Sequence, residues 1–157
     1  MNLKLLIGKI DMQTLTILST AFDHEGDIPS RYTCDGDDVN PPLEIQDLPA
    51  ATQSLVLIVD DPDAPGGTFD HWVVWNIPPH GSIGEDASPG QDGLNSLGEN
   101  GYTGPCPPDG THRYFFKVYA LDTLLDLPGS ARKADVESAM QNHILAFGEL
   151  MGRYRRR

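Results

Sequence analysis

Three short apolar runs constrain this chain more than any other feature: SLVLIVD at 54–60, HWVVWNI at 71–77 and RYFFKVYAL at 113–121. Each has strand length and is rich in β-branched or aromatic residues. Turn-forming sequence bounds them, DPDAPGG after the first and Pro78-Pro79 after the second. The first, apolar at nearly every position, fits a central strand covered on both faces. The 16 Gly and 13 Pro cluster between such runs, which favours a loop-rich β architecture over a helical bundle. Residues 13–18 alternate Thr with Leu or Ile as a half-buried strand does, 43–45 reads as another short strand, and 81–101 reads as loops. One helix is expected late. Val136, Met140, His143 or Ile144, Phe147, Met151 and Tyr154 recur every three or four residues and form an apolar stripe, with Ser130 or Asp135 as its N-cap.

At 157 residues the chain suits one domain with a hydrophobic core. That mainly-β domain is expected over 12–157, with 1–11 as an N-terminal extension outside the fold and Met12 as an alternative start. The formal net charge is −12, and Arg153, Arg155, Arg156 and Arg157 fall at the carboxyl end. The rest of the chain is more acidic still and repels nucleic acid and anionic membrane at long range. The terminal arginines are expected to complement the C-terminus of the late helix or to be solvated. No apolar stretch approaches a membrane span, and no cleavable signal pattern is present, so the cytoplasm is the expected compartment. Cys34 and Cys106 lack the spacing of zinc or redox sites. Two unpaired thiols are expected, with a Cys34–Cys106 bridge as the alternative.

Side chains alternate along a strand, so parity sorts the polar residues into rows. Asp61 follows Leu55, Leu57 and Val59; His71 heads Val73, Trp75 and Ile77; His112 precedes Tyr114, Phe116 and Val118. If 54–60 and 71–77 pair as antiparallel neighbours, Asp61 and His71 share one end of the sheet, with DPDAPGGTFD as a rim. An Asp-capped His beside a bonded Tyr is also an ordinary structural arrangement.

Longer motifs bear on that choice. Asp61-Pro62-Asp63-Ala64-Pro65 with His71-Trp72-Val73-Val74, and Gly104-Pro105-Cys106-Pro107-Pro108 running into Gly110-Thr111-His112-Arg113-Tyr114, resemble the two signatures of the phosphatidylethanolamine-binding, or Raf-kinase-inhibitor-like, family. Tyr32-Thr33-Cys34-Asp35-Gly36 with Asn40-Pro41-Pro42-Leu43 is similar to the start of its bacterial and archaeal branch. The resemblance implies a Greek-key antiparallel β-sandwich with a small anion pocket at a sheet end. It implies a ligand set of Asp61, Asp63, His71, His112 and Tyr114, with Pro107 and the backbone of Gly104 to Cys106 at the edge. The longer eukaryotic members carry a further C-terminal helix over the pocket mouth, for which this chain has no matching segment.

The function so implied is non-enzymatic binding of a phosphate- or carboxylate-bearing ligand, without cofactor or metal. Imidazole nitrogens, the tyrosine hydroxyl and loop amides would donate to the anion. Asp61 or Asp63 would accept from the far nitrogen of His71 or His112 and favour its protonated form. A protein-interaction module is the alternative, acting as a protease inhibitor or kinase regulator through 79–101, and a homodimer is a further alternative. A hydrolase lacks a GxSxG elbow. Calcium at Asp61-x-Asp63 meets Pro65 and Trp72 where ligands are needed, and zinc at His71, His112 and Asp61 competes with Asp–His pairing.

Overall fold

The computed structural model describes residues 12–156, so the expected extension at 1–11 lies outside the described residues. The strands are β1 (Gln13–Thr14), β2 (Thr16–Leu18), β3 (Leu43–Gln46), β4 (Ser54–Asp61), β5 (Phe69–Ile77), β6 (Ser82–Ile83), β7 (Gln91–Asp92), β8 (His112–Leu121) and β9 (Ile144–Tyr154), with helix α1 at Lys133–Met140. One sheet has the order β1-β9-β8-β4-β5-β7 and the other β2-β3-β6. All pairings are antiparallel except β1 with β9, so the larger sheet is mixed.

The larger sheet is covered twice, which explains its unbroken apolar runs. Leu55, Leu57, Val59, Trp72, Val74, Phe116 and Val118 pack against Ile17, Leu43 and Ile45 of the smaller sheet. Val56, Ile58, Val73, Trp75 and Tyr119 pack under Val136 and Met140 of α1. Each such side chain, fully withdrawn from water, contributes about 1.5–3 kcal/mol. On the helix side, buried Asp60 meets Lys117 Nζ at 3.0 Å and Lys133 Nζ at 3.4 Å, and Lys133 also reaches Asp70 at 2.7 Å. Asp135 accepts from the Arg132 amide at 2.9 Å and closes the first turn of α1 from inside.

The helix is shorter than its stripe suggested. It ends at Met140, and 144–154 is strand β9, paired with β8 from Leu121↔Ile144 to His112↔Tyr154. The helical spacing of Ile144, Phe147, Met151 and Tyr154 arises because β9 meets protein on both faces and carries a register shift opposite Ala120/Leu121. The row facing the smaller sheet holds Ala146, Gly148, Leu150 and Gly152 and ends in Tyr154. Small residues are needed there because the chain changes sheets directly above: Leu15 N–H donates to Phe147 O at 2.8 Å, and a Cβ on Gly148 would overlap the Leu15 carbonyl. Among the described residues the terminal arginines Arg153, Arg155 and Arg156 are exposed and lie in or just after strand β9, not at a helix end. Arg156 pairs with Asp35 at 3.0 Å. Gly148→Ala should therefore lower unfolding free energy by about 1–3 kcal/mol through overpacking, read as an earlier urea midpoint with unchanged slope.

Candidate functional site

Antiparallel pairing sets the site. β4 pairs with β5 on one edge and β8 on the other, so the end of β4 lies beside the starts of both neighbours. Asp61, His71, His112 and Tyr114 meet there, in a pocket of about 430 Å3. Gly104 and Pro107 line it too, as do Phe69, Leu97, Pro65 and the Cys34–Cys106 pair.

Parity alone would send His71 the wrong way. Val73 and Trp75, its expected row-mates, face α1, whereas Trp72 and Val74 face the sandwich interior. Val59 pairs with Trp72 and Asp60 with Asp70, so His71 is the extra residue of a bulge. That bulge delivers the imidazole to the side of Asp61 and Tyr114. A second shift in β5, between the partners of Leu55 and Leu57, spans Asn76 at φ 54° and returns Ile77 to the interior.

The Asp61–His112 bond is among those expected, whereas His71 and Asp63 find other partners. Asp61 Oδ2 partners His112 Nδ1 at 2.7 Å, and Asp61 Oδ1 accepts from the Asp63 amide at 2.7 Å. His71 Nδ1 instead contacts the Thr103 carbonyl at 2.6 Å, while Thr103 N–H donates to the His71 carbonyl at 3.0 Å. A carbonyl can only accept, so His71 Nδ1 carries the proton. Asp63 does not line the pocket. It takes a forked pair of bonds from Arg113, at 3.0 and 2.9 Å, and one from the Arg113 amide at 2.9 Å. The Arg113 guanidinium pulls the Asp63 pKa down to about 2.

Tyr114 is 1 % exposed and its hydroxyl has no partner among the described residues. His71 meets its ring edge-on at 5.2 Å, and His112 lies nearly parallel to it at 6.5 Å. Burial, reinforced by Asp61 and Asp63, pushes the Tyr114 phenol well above its ordinary value, so it is a permanent O–H donor. Burial likewise pushes the His71 pKa down, against the opposing pull of the Thr103 carbonyl and nearby carboxylates.

The wall at 102–106 is held against 32–38. Tyr102 O–H donates to Tyr32 O at 2.6 Å, Cys34 N–H to Pro105 O at 3.1 Å and Gly104 N–H to Asp38 Oδ1 at 2.7 Å. The Gly104 amide is therefore already engaged by Asp38, and Pro105 has none to offer. A Cβ on Gly104 would overlap Asp38 Oδ1 and the Tyr32 carbonyl. The cysteines, expected as two thiols, form a disulfide with Cα atoms 5.4 Å apart and a sequence separation of 72. Closing such a loop constrains the unfolded chain by about 4 kcal/mol on the entropic account.

Residues 18–155 match the sequence profile of the phosphatidylethanolamine-binding protein family. The chain belongs to that family. Its relatives include a UPF0098 protein of Methanothermobacter thermautotrophicus, 48% identical over 150 residues that span 90% of this chain and 99% of the relative. Another, from Pyrococcus abyssi, is 50% identical over 151 residues, spanning 89% of this chain and 85% of the relative. Among solved structures, a phosphatidylethanolamine-binding protein homologue of Chlamydia trachomatis superposes with a TM-score of 0.89 at 41% identity, over 92% of this chain and 99% of that one. Escherichia coli YbcL, a member of the mammalian family, gives 0.84 at 28% identity, over 91% and 99%. No described helix is long and apolar enough to cross a membrane.

Among the family-signature residues, Asp61, His71, Gly104, Pro107, His112 and Tyr114 converge here and Asp63 turns outward. Thr103 and Leu97 were not anticipated. Thr103 acts through its backbone, and Leu97 stands in a loop without periodicity. Asp61→Ala would leave the His112 ring N–H and the Asp63 amide unpaired, lowering stability by about 3 kcal/mol. Chemical denaturation would measure it, with Asp61→Asn retaining part of the loss.

Proposed function

We propose that this pocket binds a small ligand through a phosphate or carboxylate group, without chemical turnover. The observation that carries the reading is the buried Tyr114 hydroxyl, unpartnered and flanked by two imidazoles. A buried hydroxyl with no acceptor costs about 1–3 kcal/mol, and an arriving anion oxygen removes that cost.

The imidazoles contribute conditionally. Each has its Nδ1 committed, to Thr103 O or to Asp61. Each Nε2 lacks a partner among the described residues, and it can donate only when the ring is protonated. Anion capture is thus coupled to proton uptake, and a bound anion raises the proton affinity of the rings. The acidic body opposes capture, but fields decay over roughly 8 Å at physiological salt, so adjacent donors decide the outcome. The apolar rim of Phe69, Pro65, Leu97 and Pro107 suits a ligand whose anionic head continues into an uncharged portion.

Titration with inorganic phosphate followed by NMR tests this reading. Tyr114→Phe should weaken binding about tenfold while raising the melting temperature of the free protein, because an orphaned polar group is lost with the contact. A purely structural tyrosine would leave phosphate affinity unchanged, and that result would refute the reading.

The pH dependence has a defined sign. The depressed His71 pKa means that the unfolded chain takes up a proton near pH 6.5 that the folded protein resists. Ligand-free stability is therefore full above that pH and declines as pH falls through it towards the folded-state value. Affinity for an anion of fixed charge should rise over the same interval. Thermal melts between pH 8 and 5, with and without sulfate, which does not titrate in this range, should show the ligand-induced shift growing as the pH drops. A shift that shrinks would exclude imidazolium donors.

A further inference from the structure

The Cys34–Cys106 bridge belongs to the pocket wall. Both cysteines line the pocket and both are exposed, so an attacking thiolate can approach. The bridge joins 32–38 to 102–106, and Thr103, three residues from Cys106, holds His71 through both its N–H and its carbonyl. One covalent tether therefore supports the segment that fixes the direction of an imidazole and which of its nitrogens is protonated.

We propose that Cys34–Cys106 is a thiol–disulfide exchange site for a dithiol reductant, and that its redox state sets how His71 is presented to a ligand. A thiolate of the reductant attacks one bridge sulfur, the S–S bond breaks, and the other cysteine leaves as a thiolate. The second thiol of the reductant then resolves the mixed disulfide. Two electrons pass to the protein, which ends with two cysteine thiols, and the reductant becomes a disulfide. With the bridge open, the remaining bonds from Tyr102 and Gly104 and to Pro105 are no longer backed covalently. The 102–106 wall gains freedom, and the Thr103 carbonyl no longer stays on His71 Nδ1. The strands carrying Asp61, His112 and Tyr114 are unaffected, because pairing along β4, β8 and β9 holds them.

The consequence for affinity rests on the anion-binding reading, whereas the repositioning of His71 does not, and the test separates the two. Full-length protein is compared oxidised, reduced with dithiothreitol, and as the Cys34→Ser/Cys106→Ser double variant. NMR follows residues 32–38, 102–106 and the His71 ring, and inorganic phosphate is titrated into each form. Reduction should shift those signals and those of Tyr154 and Arg156, which bond to Asp35, leave β8 and the rest of β9 unchanged, and weaken phosphate binding about tenfold, the worth of a displaced charge-assisted hydrogen bond. The double variant should match the reduced protein, and reoxidation should restore the wild type. An unmoved His71 ring would overturn the inference, as would an oxidised protein that binds phosphate and a reduced one that binds it with an affinity within about twofold. Collapse of the whole spectrum on reduction would also overturn it, since the bridge would then be a staple for the fold. If the oxidised protein ignores phosphate while His71 still responds to reduction, the anion reading fails and the exchange site stands.

Discussion

Everything at the pocket follows from β4 being hydrogen-bonded along both edges. A strand with two antiparallel neighbours fixes three chain segments at each of its ends. At the Asp61 end these are the exit of β4 and the entries to β5 and β8. The interior row of β8 begins at His112 and Tyr114, and the bulge at His71 turns the entry of β5 towards them. Core packing thus pre-positions polar groups that are distant in sequence, and the loops need only shape the rim.

The polar groups brought together are unequal. Tyr114 is a neutral donor whose proton stays in place across the physiological range, because burial opposes the phenolate. His112 is backed by a carboxylate and His71 by a carbonyl, so the two rings face different electrostatic surroundings. Asp63 is excluded by its own strong partner: Arg113 satisfies both of its oxygens on the outer side of the sheet end. The pocket surface carries one buried carboxylate, Asp61, already engaged, among donors and apolar groups.

Much of this was legible in the residues, for identifiable reasons. The runs at 54–60, 71–77 and 113–121 are strands because their β-branched, aromatic and leucine side chains fall on both faces and need cover on each. The segment 144–154 misled because apolar residues on both faces of an irregular strand reproduced helical spacing. The contrary sign was the pair Gly148 and Gly152, which weaken a helix and admit the close approach of Leu15, Phe22 and Ile28. The orientation of His71 could not be read from parity, since a bulge is defined by the partner strand and not by local sequence. Its tie to Thr103 was equally hidden, because every residue carries a carbonyl. The Cys34–Cys106 pairing depends on two loops meeting in space, about which sequence spacing says nothing.

The parallel pairing of β1 with β9 has a practical consequence for the molecule's polarity as an object. Both strands run towards the pole where Tyr154 pairs with His112, so β1 begins at the opposite pole, beside Ala146. The amino-terminal side of the domain is delivered to one extremity and the arginine-bearing carboxyl side to the other. A surface or fusion attached ahead of Gln13 would leave the pocket pointing outward, whereas one attached after Tyr154 would stand at its doorstep.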